Sequence, residues 1–289
     1  MRIDAKRRDR LLSSKLKKVT SEYYLTGSSK SALDRNIKES LAGRIQILTL
    51  SGLSVSEILS SIPDIPLRSI LFRGGLPELY NRLELNPISY LNDYITSYIE
   101  KDLAAGEGMG KTNDFLNFLR LLGGRTGQFL NYSEIANSTG VSVPTIQKWS
   151  ELLEKNKIIT LVFCYSTNLT KRLVKMKKLY FFDSGLAARL QGHTTEETLW
   201  SSPQAGALFE TLVFNEIQKI KENHLKDWNI FTWRTKEKEE IDFILEISPD
   251  KKILIEVKMA VQKVESWSLG PESKKVFGDK IQKIIVTAG

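Results

Sequence analysis

The sequence predicts a mixed α/β (α+β) fold in three parts, residues 1–69, 70–195 and 196–289. Three observations carry that prediction. A central stretch repeats apolar residues at helical spacing. A helix–turn–helix pattern is followed at once by two strand-like runs. Two late runs alternate apolar and polar residues with period two.

In the first part, Tyr23-Tyr24-Leu25 runs into Thr26-Gly27-Ser28-Ser29, a strand ending in a small-residue loop. Leu33 to Leu41 reads as a helix and Ile45 to Leu50 as a second strand. Two strands and a helix are too little for a stable sheet, so this part reads as the end of something larger. From Ile70 to Gly124 the pattern is helical. Leu91, Tyr94, Ile95, Tyr98, Ile99 and Leu103 recur along one face, and Phe115 to Leu122 continues in that style.

Tyr132 to Ala136 starts a short helix and Gly140 turns the chain. Ser142 then caps a second helix through Ile146, Trp149, Leu152 and Leu153, with Trp149 turned to the core. Strand candidates Ile158 to Phe163 and Lys178 to Phe182 follow, joined by a basic linker of Lys171, Arg172, Lys175, Lys177 and Lys178. This is the order of a winged helix. In it, exposed Thr145, Gln147 and Lys148 on the second helix would approach a major groove, and the basic linker would lie over phosphates. Winged helices also serve as protein-binding modules, so DNA and a protein partner both stay open.

The third part opens with a helix over Leu208 to Lys221 that carries Glu210. Strands over Trp228 to Trp233, Ile241 to Ile247 and Ile253 to Val257 come next, then a short helix, Glu272 to Phe277, and a last strand, Ile281 to Val286. Helix-β-β-β-helix-β is the core order of the restriction-endonuclease-like (PD-(D/E)xK) fold. Ser248-Pro249-Asp250 supplies the turn of a hairpin. Alternation puts Ile241, Phe243, Leu245 and Ile247 on one face, opposite Ile253, Ile255 and Val257. The other face then carries Asp242, Glu256 and Lys258. Asp242 and Glu256 suit a hard cation, magnesium or manganese, with Glu210 as a further metal carboxylate. Lys258 would orient or deprotonate the attacking water, or stabilise charge on the phosphate. The plain alternative is a hairpin with a polar outer face.

Composition sets wider bounds. A chain of 289 residues can bury a substantial core, and 41% hydrophobic with 26% charged residues is ordinary for a folded protein. A formal net charge of +8 suits an acidic partner such as nucleic acid, and equally a basic solvated surface. Cys164 is the only cysteine, which excludes a disulfide framework and suits a reducing cytoplasm. His193 and His224 lack metal-ligand spacing and are expected on the surface or in loops. Arg2 to Lys18 lacks the apolar stretch of a signal peptide, and no apolar run approaches the ~20 residues of a membrane span. A cytoplasmic protein with no membrane partner is expected.

Ala105-Gly106-Glu107-Gly108-Met109-Gly110-Lys111-Thr112 satisfies a relaxed phosphate-loop pattern. Such a loop needs a strand before it, whereas Tyr94 to Asp102 reads as a charged helix, so the segment reads as a linker.

Seven strings appear in order: Leu25 to Ser29, Ser40 to Arg44, Arg73-Gly74-Gly75-Leu76-Pro77-Glu78, Arg125 to Gln128, Lys178 to Leu186, Gly206 to Glu210, and Ile255-Glu256-Val257-Lys258. As a set they resemble the prokaryotic AAA-type ATPase family whose carboxy-terminal half is the domain of unknown function 4143. The resemblance implies that residues 1–69 are the sensor and lid end of an ATPase domain. Thr26 to Ser29 would be the sensor strand end and Arg44 a nucleotide-binding arginine. Family members begin with Walker A and Walker B motifs, and this chain has neither ahead of Leu25. That departure implies a truncated product, a mis-called start or half of a split gene, with no ATP hydrolysis by the chain itself.

Two functions follow as expectations. One is a nucleic-acid-associated protein with a magnesium-dependent deoxyribonuclease-like domain, its catalytic set Asp242, Glu256 and Lys258. The other is a non-catalytic module that binds DNA or protein through the winged helix. Candidate partners are DNA, a separate ATPase half and a second copy of the chain. ATP binding at Lys111 is a third, minor reading.

Overall fold

Caps and glycines set the helix boundaries in the middle of the chain. The computed structural model describes residues 48–97, 112–167, 177–235, 239–259 and 267–288. Arg44, Lys111, the linker residues Lys171, Arg172 and Lys175, and everything before residue 48 lie outside them.

Helix α1 (Val55–Ser61) starts with a reciprocal capping box between Ser54 and Glu57. Helices α2 (Leu67–Arg73), α3 (Glu78–Asn81), α4 (Pro87–Tyr94) and α5 (Thr112–Gly123) follow. Strand β1 (Gln128–Phe129) leads to α6 (Tyr132–Thr139), which Asn131 caps and Gly140 ends in a left-handed conformation. Helix α7 (Val143–Lys155) starts at Ser142, whose hydroxyl accepts from the Thr145 amide. Trp149 is buried, its ring edge-on to Phe115 at 5.4 Å, as its spacing predicts.

Strands β2 (Ile159–Phe163) and β3 (Lys177–Phe181) pair antiparallel, and β1 pairs with β3 on its other side. The expected two-stranded hairpin is therefore a three-stranded sheet, in the order β1-β3-β2. A two-residue strand carries no periodicity that would have announced it. Helices α8 (Ser184–Leu190) and α9 (Glu196–Trp200) lead into the long α10 (Ala205–Asn223). His193 lies in the loop after α8, half-buried, and His224 is exposed at the end of α10.

The second sheet runs β4 (Asn229–Arg234), β5 (Glu240–Ser248), β6 (Lys251–Lys258), β7 (Gln282–Thr287), with α11 (Pro271–Phe277) between β6 and β7. The first three strands are antiparallel and β7 is parallel to β6, which requires the crossover that α11 lies in. The two sheets touch where Cys164 bridges Thr232 and the Tyr165 amide donates to the Thr232 carbonyl at 2.7 Å.

Both faces of the second sheet are covered. Phe243, Leu245 and Ile255 join the main core with Leu208, Leu212 and Phe214 of α10. Ile241, Ile244 and Leu254 join a second cluster with Tyr165, Trp233 and Leu269. Ile241 thus departs from the face expected of it. Phe231 pairs with Ile244 and Trp233 with Ile241, so β5 holds one extra residue there, and the bulge turns Ile241 over. Among the described residues no helix is long and apolar enough to cross a membrane.

A buried clamp joins two of the strings seen in the sequence. Asp183 caps α8, accepting from the Leu186 amide at 2.8 Å, and its other oxygen accepts from the Gly75 amide at 2.6 Å. Gly74 sits at φ +78°, ψ −159°, a region that essentially only glycine occupies. A Cβ there would lie 2.1 Å from the Asp183 carboxylate. Gly74→Ala is expected to cost on the order of 3 kcal/mol through strain and the broken clamp, read as a lower urea midpoint. A loss below about 1 kcal/mol would show that the loop relaxes around the methyl group.

Candidate functional site

Period two on β3 decides where the site forms. Lys178 and Tyr180 share one face of that strand while Leu179 and Phe181 take the other. The first face meets α10 and β5: the Tyr180 ring stacks on Phe214 at 4.4 Å and lies 5.5 Å from Phe243. On α10, Glu210 comes within reach of both β3 side chains. Its Oε1 accepts from the Tyr180 hydroxyl at 2.5 Å and from Lys178 Nζ at 2.8 Å. Glu240 Oε1, at the start of β5, lies 2.8 Å from the same ammonium, and Asp242 Oδ1 lies 3.9 Å from it.

Asp242 stands where β5 and β6 part. Their ladder runs as far as Phe243 opposite Ile255, and beyond it Asp242 Oδ2 accepts from the Val257 amide at 2.8 Å. A side-chain carboxylate thus replaces the next backbone bond. Glu256 and Lys258 follow on β6, with Nζ and Oε1 2.5 Å apart. The other Glu256 oxygen, Oε2, is buried without a hydrogen-bond partner. Of the expected residues, Asp242 neighbours both Glu210 and Glu256, Glu256 pairs with Lys258, and Lys178 is a further neighbour of Glu210 and Asp242.

Burial dominates the electrostatics. It pushes the Glu210 carboxyl up to about 7, against the pull of Lys178 and with added repulsion from Asp242. It raises Asp242 despite Lys178 and the Val257 amide, and it raises Glu256 with help from Asp242. For the two ammonium groups burial works the other way and loses. Glu210 and Glu240 hold Lys178 above its ordinary range, and Glu256 does the same for Lys258. Lys178 and Glu210 shift in the same direction because one ammonium is shared among several carboxylates. It cannot hold each of them fully ionised in a buried setting.

The Lys178 side chain is 3% exposed, against 14% for Glu210, 13% for Asp242, 12% for Glu256 and 53% for Lys258. Lys258 is therefore the ammonium that reaches solvent. The donors are hard oxygens of the kind magnesium takes, and the unpartnered Glu256 oxygen suits one. Their arrangement does not: among the described residues, no group of three or more His, Cys, Asp or Glu is placed to hold a metal ion.

Reading the sequence alone assigned Lys178 to the basic linker over phosphates. The structure corrects this, because the pairing of β3 turns that side chain inward. Its position two residues before Tyr180, at the start of the apolar run Leu179-Tyr180-Phe181, is the signal in the sequence. On α7, Gln147 and Lys148 are exposed as expected. Thr145 is half-buried instead, its hydroxyl 2.8 Å from that of Ser142 in the cap.

Two family models match the chain. Residues 66–197 match the domain of unknown function DUF8612, and residues 205–287 match the domain of unknown function DUF4143. Lys178 falls within the first match and the carboxylates within the second. Two curated relatives are the uncharacterized proteins Mb2031c of Mycobacterium bovis and Rv2008c of Mycobacterium tuberculosis, each 28% identical over 231 residues. The aligned region is 80% of this chain and 51% of each relative, so the chain spans about half the length of the curated relatives it matches. No solved structure matches.

The raised Glu210 carboxyl has a signed consequence. Its ordinary value is 4.5 and its folded value about 7, so the folded state binds the proton more tightly than the unfolded chain. Its contribution to stability is full below pH 4.5 and is lost as pH rises through about 7. Glu210→Gln is expected to flatten that part of the profile of Tm against pH. An unchanged slope would assign the titration to another group.

Proposed function

We propose that the chain is a nucleic-acid-associated protein with a winged-helix middle and a metal-dependent, restriction-endonuclease-like carboxy-terminal domain. The observation that carries this is that Asp242 from β5 neighbours both Glu210 from α10 and Glu256 from β6, and that Glu256 pairs with Lys258. These residues lie on an element order of helix, three antiparallel strands, helix and a parallel strand.

In this reading Asp242 and Glu256, with Glu210 assisting, are the carboxylates for magnesium or manganese. Lys258, mostly solvated, is the group at the water or the phosphate. Gln147 and Lys148 on α7 offer the exposed polar face of a DNA-contacting helix, and Lys171, Arg172 and Lys175 supply the basic linker. The link to an AAA-type ATPase family rests on the shared strings, and we assign no ATP chemistry to this chain.

A second reading is a non-catalytic module that binds DNA or protein. It is favoured by the burial of Lys178 among the same carboxylates, which balances their charge without a metal.

Cleavage of plasmid and branched DNA with magnesium or manganese separates the two. Asp242→Ala is expected to abolish cleavage, and Lys258→Ala to lower it on the order of 10²-fold or more while the protein stays folded. Cleavage that survives Asp242→Ala would remove the assigned site. DNA binding without cleavage under either metal would favour the second reading. Lys148→Ala is expected to lower the salt slope of DNA affinity by about 1, as loss of one phosphate contact does. An unchanged slope would take α7 off the DNA.

A further inference from the structure

We infer that Lys178, reaching across from the β1-β3-β2 sheet, is the resident cation of the carboxylate site, and that it and a divalent metal exclude one another there. This rests on the metal-dependent reading above and deepens it.

The argument starts from contacts. Lys178 Nζ lies 2.8 Å from Glu210, 2.8 Å from Glu240 and 3.9 Å from Asp242. Two of these three residues, Glu210 and Asp242, belong to the expected metal set. The ammonium is buried, and the strand that carries it is central in its own sheet, so the group is held in place by backbone pairing on both sides. Nor is it a mobile surface lysine whose charge is shared with water. That ammonium supplies one positive charge where a divalent ion would supply two. Glu256 Oε2 is buried without a hydrogen-bond partner, while its Oε1 pairs with Lys258. The site therefore has its carboxylates and no metal cage because a tethered cation already sits among them. For a metal to enter, Lys178 must leave, and its departure would loosen β3 from α10 and β5. Metal binding and the docking of the middle sheet thus oppose each other, a coupling that acts in both directions.

The test is direct manganese binding, by calorimetry or by the free-ion electron resonance signal, on the full chain. Lys178→Met is expected to bind Mn²⁺ at least tenfold more tightly than the natural protein, with the gain lost in Lys178→Met combined with Asp242→Asn. Equal or weaker binding by a folded Lys178→Met protein overturns the inference. The natural protein provides a second measurement should that variant not fold. Acylation of Lys178, read by peptide mass spectrometry, is expected to be slow and to accelerate at least severalfold in millimolar Mn²⁺, with other lysines unchanged. Protection of Lys178 that manganese leaves intact overturns the inference. Neither readout depends on cleavage: tight, Asp242-dependent manganese binding without nuclease activity would refute the nuclease reading and leave this one standing.

Discussion

One buried ammonium ties the two halves of the described structure together. Lys178 sits in the middle strand of one sheet, and its charge is answered by Glu210 from α10 and Glu240 from the other sheet. Removing a charge of either sign from such a group leaves the others buried and unpaired, which typically costs about 3–5 kcal/mol. Tyr180, two residues on, adds a hydroxyl to Glu210 and a ring stacked against Phe214. Packing and charge therefore impose the same docking geometry, and neither sheet can shift without disturbing both.

The docking in turn gives the carboxylate site its character. Glu210, Asp242 and Glu256 are raised by burial, and β3 covers the first two of them through Lys178 and Tyr180. The bulge in β5 matters as well. It turns Ile241 into the second cluster and leaves the Asp242 carboxylate free to take the Val257 amide. Lys258, in contrast, is half exposed and pairs with Glu256 at the surface of the site.

The Asp183 clamp does for the helical middle what Lys178 does for the sheets. A buried carboxylate accepting from the Gly75 and Leu186 amides fixes the end of α2 against the start of α8. Two strings more than a hundred residues apart in sequence become one contact. Their glycines are explained by space: Gly74 has no room for a Cβ beside Asp183, and one on Gly185 would lie 2.6 Å from the Arg73 carbonyl.

Much of this was legible in the order of residues. Period-two alternation located β5 and β6, the Pro249-Asp250 turn joined them, and helical spacing found α5, α7 and α10, because each is a local periodicity of buried and exposed positions. Asp242, Glu256 and Lys258 could be grouped from alternation alone, and Glu210 from its place on the preceding helix. What only the tertiary structure decided was the company they keep. Strand β1 is too short to show a period, the bulge at Ile241 depends on pairing with β4, and Thr145 turns back to its own cap. Lys178 looked like one more cation in a basic run. Whether a lysine faces phosphate or carboxylate depends on which surface its strand is docked against, and that is set by contacts between distant segments that no local pattern encodes.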